Sequence, residues 1–225
     1  TELIIGTKHA ERRLAFAANY MPLLPSDTEF AAKLISLCAA HLSEEGINDP
    51  ISCYEYMGEF YVQEGHKRVS VLRSYGAAGV SARVVRLVPA YSDDMRVRVY
   101  YEFMDFFALT RLYSVDFRRP GGYAKLLEAL GCEPGRTWTD SERQSFAASF
   151  MRFGEAFRKL NREKLPVTAA EALLVWLRVY KMPDMKAMMM PDLVKSIESV
   201  WADIRLLESD EPIAVETEPP EPTDE

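Results

Sequence analysis

The sequence predicts an α+β fold: a mixed sheet with helices, followed by an all-helical C-terminal region. Two observations carry this. Short apolar runs with period-two spacing, bounded by Gly and Pro, occur before about residue 90 and not after it. From about residue 91 to 208 the apolar residues instead recur at helical spacing over long, capped segments. The expected organisation is a core over 1–90, a helical domain over 91–208, and an acidic, Pro-rich disordered linker over 209–225.

In chain order, "LII" at 3–5 is a strand candidate ended by Gly6. "HAERRLAFAANYM" has helical spacing and is closed by Pro22 and Pro25. Ser26 or Asp27 can cap the next helix, whose stripe is Phe30, Leu34, Leu37, Cys38 and Leu42, with Gly46 at its end. "PISCYEYM" alternates, with Ile51, Cys53 and Tyr54 as inward candidates. A turn at Gly58-Glu59 and a strand "FYVQE" make 51–64 a hairpin. A helix over 66–75 closed by Gly76 and a valine-rich strand "SARVVRLVP" complete the core.

Beyond Pro89, "DDMRVRVYYEFMDFFALTRLY" has helix length. Its aromatics Tyr100, Phe103, Phe106 and Phe107 share one helix face, which predicts core rather than a base-stacking platform. "GGYAKLLEALG" is a short helix. "TDSERQSFAASFMRFGEAFRKL" opens on a capping pattern, Thr139 or Asp140 followed by Glu142 or Arg143 in the first turn. "TAAEALLVWLRVY" and "MPDLVKSIESVWADIRLLE" are two further amphipathic helices, and "MKAMMMPD" reads as a half-buried helix boundary.

The formal net charge of −7 is unevenly placed. Residues 208–225 hold eight acids and no base, which leaves 26 acids against 27 bases in the rest. That tail has little to bury and reads as a linker, which commonly leads to a further domain. The chain does not begin with methionine, which suggests a piece of a longer protein. No signal peptide is recognised, and no apolar run approaches the roughly 20 residues of a membrane span. Three scattered cysteines form no disulfide framework, so a reducing, cytoplasmic setting is expected. The three histidines lack metal-ligand spacing, and no protein-held metal is expected.

The chemistry-bearing stretch is "FYVQEGHKRVSVL", residues 60–72. A strand, then Gly65, then a helix opening on His66, Lys67 and Arg68 would gather unsatisfied backbone N–H groups at the positive end of a helix dipole. Cations there call for a compensating anion, and phosphate fits. The plainer alternative is that Glu64 and a neighbouring acid pair these charges. Residues 65–92 contain five Lys and Arg and no acid, which is either an anion-attracting field or an ordinary solvated surface. Neither a P-loop nor a Rossmann fingerprint is present.

The order Gly46, Ile47, Pro50, Ile51, then Gly65 to Arg68, then Gly76 and Val80 to Val85, resembles the core of the ParB/sulfiredoxin-like superfamily over about residues 1–90. Upstream, "ELIIGTKHAERR" resembles the first strand of that family and its following arginine, with Arg12 or Arg13 in that role. The resemblance implies that Gly65, His66, Lys67 and Arg68, with Arg12, grip nucleotide phosphates. It also implies a nucleoside triphosphate with Mg2+ as the cofactor. Sulfiredoxins carry a catalytic cysteine after the glycine; His66 stands there, so their sulfinic-acid reductase chemistry is not expected. Chromosome-segregation ParB proteins read Gly-Glu-Arg-Arg at the turn and use CTP to switch a DNA clamp; His66-Lys67 departs from that pattern. Some relatives phosphorylate free serine with a glutamate base, a part for which Glu64 is the candidate. The body is also similar to a group of bacterial proteins in which "YVQEGNKRVSVLK" and "YYEFLDFY" recur, some with a solute-binding-like domain after an acidic linker.

The expected function is therefore a ParB-like regulatory module that binds a nucleotide or a nucleic-acid phosphate. DNA and a second copy of the chain are further partner candidates, and no membrane is expected. Arg118, Arg119 and Lys125 in "FRRPGGYAKLL" are the residues considered for DNA. The alternatives are a small-molecule kinase or NTPase on the same fold, and an interaction module with a vestigial site.

Overall fold

The structure, a computed structural model, describes residues 1–208 except 2, 10, 12, 13, 26, 44 and 45. The expected linker over 209–225, Arg12, Arg13 and the Ser26 cap lie outside the described residues. The chain divides into two compact units, Thr1–Ala90 and a second beginning at Tyr91. The fold is α+β, with a four-stranded mixed sheet in the first unit and a helical second unit. Among the described residues, no helix is long and apolar enough to cross a membrane.

The sheet of the first unit holds β1 (Ile4–Thr7), β2 (Ile51–Tyr56), β3 (Glu59–Glu64) and β4 (Ala82–Leu87) in the order β1-β3-β2-β4. β2 and β3 form an antiparallel hairpin, and the outer strands run parallel to their neighbours. The hairpin turns at Met57-Gly58, not Gly58-Glu59: both residues have positive φ, and Glu59 already pairs with Tyr56. The α-helices α1 (Glu29–Leu42) and α2 (His66–Ser74) belong to this unit. Ile4, Tyr20, Ile51, Val62 and Val69 form the core, which joins three strands to α2.

Several local expectations are corrected. β1 continues through Gly6 to Thr7, because Gly6 keeps its ladder position beside Tyr61. The helix expected over 9–21 lies partly outside the described residues; its described part 15–21 is not helical, since Phe16 bridges to Pro22 and Tyr20 takes φ of 66°, turning its ring into the core. The α1 cap is Thr28, whose hydroxyl accepts from Ala31 N, and Ser43 rather than Gly46 closes the helix. Phe30, Leu34, Leu37 and Cys38 are half-buried, whereas Leu42 is exposed. On β2 the third inward residue is Glu55, not Tyr54. Strict alternation from Ile51 and Cys53 selects it, and Arg86 on β4 meets its carboxylate at 2.5 Å.

The second unit contains α3 (Met95–Thr110), α4 (Gly122–Ala129), α5 (Asp140–Leu160), α6 (Ala169–Trp176), α7 (Met182–Ala187), α8 (Met190–Ser199) and α9 (Trp201–Arg205). Of the four aromatics on that face of α3, Tyr100, Phe103 and Phe106 are buried and Phe107 is half-buried. The Thr139–Glu142 capping box opens α5, and Phe146, Phe150, Phe153 and Phe157 supply its buried stripe. The single helix expected over "MPDLVKSIESVWADIRLLE" is broken at Val200, which serves as the C-cap of α8 and the N-cap of α9. Buried Leu193, Ile197 and Ile204 hold both pieces in the interior.

Candidate functional site

The start of α2 is built by the backbone. β3 ends at Glu64, which pairs with Ser52, and Gly65 then takes φ of 96° and ψ of 20° as the N-cap. Gly65 has no side chain with which to cap the helix, and the first turn holds no acid. A Cβ at Gly65 would lie 2.6 Å from Ile51 Cγ2. The glycine is thus required by the protein's own core as much as by any approaching ligand.

The three nitrogen-bearing side chains diverge. His66 is 6% exposed, and its Nε2 lies 2.6 Å from Thr7 Oγ1. Its ring stacks with Phe16 at 6.0 Å and with Tyr20 at 6.3 Å. Thr7 Oγ1 also lies 3.2 Å from the Val62 carbonyl. A hydroxyl has one hydrogen, so when Thr7 donates to Val62 the imidazole must donate to Thr7. Lys67 Nζ sits 4.4 Å above the Phe30 ring, a cation–π contact. Arg68 Nη1 donates to the carbonyls of Asp49 and Pro50 at 2.8 and 2.7 Å. The two sequence motifs, Gly46 to Ile51 and Gly65 to Arg68, are therefore tied to each other by Arg68. Among the described residues no carboxylate pairs with Arg68, and Glu64 is exposed beside the turn.

A cleft of about 430 Å³ opens beside His66. Ile5, Thr7, Phe16, Tyr20, Tyr61 and His66 line it, so its walls are mostly apolar with a few convergent polar groups. The Tyr20 hydroxyl donates to the Gly6 carbonyl at 2.5 Å. Burial pushes the Tyr20 phenol up to about 12, against an opposing pull from the Arg73 charge. Arg73 itself donates to the carbonyls of Thr1 and Ile4, and its guanidinium lies 5.2 Å from the Tyr20 ring. Sequence reasoning missed Thr7, Phe16, Tyr20 and Arg73. The lone signal was aromatic and basic residues scattered over some 70 positions, with no fixed spacing to connect them.

In the second unit, Arg118 and Arg119 meet Glu171, which is fully buried. Arg118 donates to it through both its backbone N–H and Nε, and Arg119 through Nε at 3.4 Å. Glu171 also accepts from the Thr168 N–H as half of the capping box that opens α6. Arg119 is 3% exposed, so its guanidinium is committed to the interior and is withdrawn from the DNA expectation. Arg118 is partly exposed and further held by the Leu207 carbonyl, while Lys125 is half-buried on α4. Among the described residues, no group of three His, Cys, Asp or Glu side chains is placed to hold a metal ion.

No protein-family model matches the chain, and no curated protein matches it.

Proposed function

We propose that the first unit is a ParB-like regulatory module that binds a nucleotide, with phosphate at the start of α2 and the base or ribose in the cleft beside His66. One observation carries the reading: an acid-free helix start whose N-cap is Gly65 adjoins a ligand-sized cleft through a shared residue, His66. The backbone N–H groups of the first turn supply the anion site. Lys67 leaves the Phe30 ring to reach a phosphate, and Arg68 holds the Asp49–Pro50 loop against the turn. Mg2+ enters with the phosphates, since Mg2+ is commonly held by them and one or two carboxylates.

The test is thermal unfolding of the chain with ATP, ADP, CTP and GTP in the presence of Mg2+. A ligand at a hundred times its Kd stabilises the native state by about 2.7 kcal/mol. At least one nucleotide raises Tm, and Lys67→Ala reduces the rise. If none of the four raises Tm, the proposal is wrong.

A further inference from the structure

We infer that the open face of the sheet is a stacking platform for single-stranded nucleic acid. This face borders the nucleotide cleft through Tyr61, which lines both, but the argument for it rests on other residues. Strand alternation fixes which residues stand on this face. Ile51, Cys53 and Glu55 of β2 point to the core, so Tyr54 and Tyr56 point away from it. On β3, Val62 is buried, and Tyr61 lies directly opposite Tyr54. The parallel register of β4 places Val85 beside Tyr54 and Leu87 beside Tyr56. Tyr56, Val85 and Leu87 are 43%, 54% and 46% exposed.

Three tyrosines therefore occupy adjacent positions on the two central strands. A Cβ at Gly6 would lie 3.1 Å from Tyr61 Cδ1, so the Tyr61 ring lies down across β1. A ring laid along a sheet presents its other face to a planar ligand. Lys8, Tyr54, Tyr56, Tyr61 and Leu87 enclose a hollow of about 430 Å³ here.

The charges select the occupant. Lys8 Nζ lies over the Tyr54 ring, 4.6 Å from its centre and 3.0 Å from its hydroxyl, which leaves the Tyr56 and Tyr61 rings as the uncovered ones. Exposed Arg83 lies across the sheet on β4, beside Ser52. Glu59 on this face accepts from the Tyr61 hydroxyl at 3.2 Å, and exposed Glu64 pairs with Ser52 at the Arg83 end. Cations at both margins and π-faces between them match a strand whose bases stack and whose phosphates run along the edges. An apolar protein partner would use the valines and tyrosines but leave Lys8 and Arg83 without a role.

The test is fluorescence anisotropy of the full chain with labelled oligo(dT) and oligo(rU) of about 12 nucleotides, within the span one such platform covers. A duplex of equal length is the comparison. The single strands bind and the duplex binds more weakly. Tyr56→Ala weakens single-strand binding by about 5- to 150-fold, the range for loss of one stacked base. Tyr56→Phe retains binding, which separates stacking from the hydroxyl. Lys8→Ala lowers the slope of log K against log salt by about 0.7, one phosphate contact. Tyr61 lines both sites, so the two are separated by variants: Tyr56→Ala leaves the mononucleotide Tm rise in place, and Lys67→Ala leaves the oligonucleotide signal in place. Absence of binding at low salt, equal binding of the duplex, or an unchanged affinity in Tyr56→Ala overturns the inference. So does a dimer of the chain that Tyr56→Ala dissolves, since that result makes the face a protein interface.

Discussion

Replacing Gly65 by alanine separates two costs that the structure lays side by side. The first is conformational: φ of 96° lies where an L-residue is strained, and the left-handed region costs about 1–2 kcal/mol. The second is steric: the new Cβ falls 2.6 Å from Ile51 Cγ2 and 3.0 Å from Ile51 Cβ. Ile51 is fully buried and starts β2, so relief must come from backbone movement, and overpacking of this kind costs about 1–3 kcal/mol. Alanine also restricts the unfolded chain, which returns about 0.4–1 kcal/mol. The net expectation is a loss of about 1.5–4 kcal/mol. Gly76 supplies the control: its φ is 69°, but nothing lies within 4 Å of its would-be Cβ. Gly76→Ala therefore carries the conformational cost alone, about 1 kcal/mol. The assay is native-state hydrogen exchange by mass spectrometry over peptides spanning β2, β3 and α2. The tryptophans Trp138, Trp176 and Trp201 all lie in the second unit, so their fluorescence would miss the change. An Ile51→Ala background removes the Cγ2 contact at 2.6 Å but keeps Cβ at 3.0 Å, so there the added cost of Gly65→Ala falls without reaching that of Gly76→Ala. If Gly65→Ala costs no more than Gly76→Ala in the wild-type background, the contact with Ile51 is not what fixes glycine at this turn.

In the second unit, Glu171→Ala removes the acceptor shared by Arg118, Arg119 and the Thr168 N–H, and breaking a buried pair costs about 3–5 kcal/mol. A urea titration followed by tryptophan fluorescence reads it, since Trp176 ends the helix that Glu171 opens; a loss below about 1 kcal/mol would refute the interior role. Tyr20→Phe deletes the hydrogen bond to the Gly6 carbonyl and costs about 1 kcal/mol at neutral pH. The Tyr20 phenol is raised from 10.0 to about 12 in the folded chain, so its contribution is complete below pH 10 and is lost as pH rises towards 12. Tyr20→Phe flattens the stability curve over that interval, and an unchanged alkaline limb would show that another group controls it.

What was legible in the sequence follows the range of the interactions. The Thr139–Glu142 box closes within four residues, and both partners stand in one short string. The start of α2 behind Gly65 is equally local. The burial of Glu55 is not, because a carboxylate in a β-hairpin is an outward residue until something neutralises it. Its partner Arg86 is 31 positions away and comes beside it only through the parallel register of β2 and β4. Residues 15–21 depart from the expected helix for the same reason. Their apolar spacing suits a helix, but Tyr20 gains a place in the core and a bond to Gly6 that a helix would deny it.

The candidate site divides along this line. Composition marked three adjacent nitrogen-bearing side chains as one cluster, yet each has a different partner: an aromatic stack for His66, the Phe30 ring for Lys67, two carbonyls for Arg68. Adjacent residues at a helix start project about 100° apart, so a run of like charges in sequence is not a patch in space. What the three share is the backbone at their base. The anion-binding capacity of this turn thus rests first on its peptide N–H groups, which Lys67→Ala leaves in place. A partial loss of nucleotide affinity in that variant fits such a site, and a complete loss would move the burden onto the side chain.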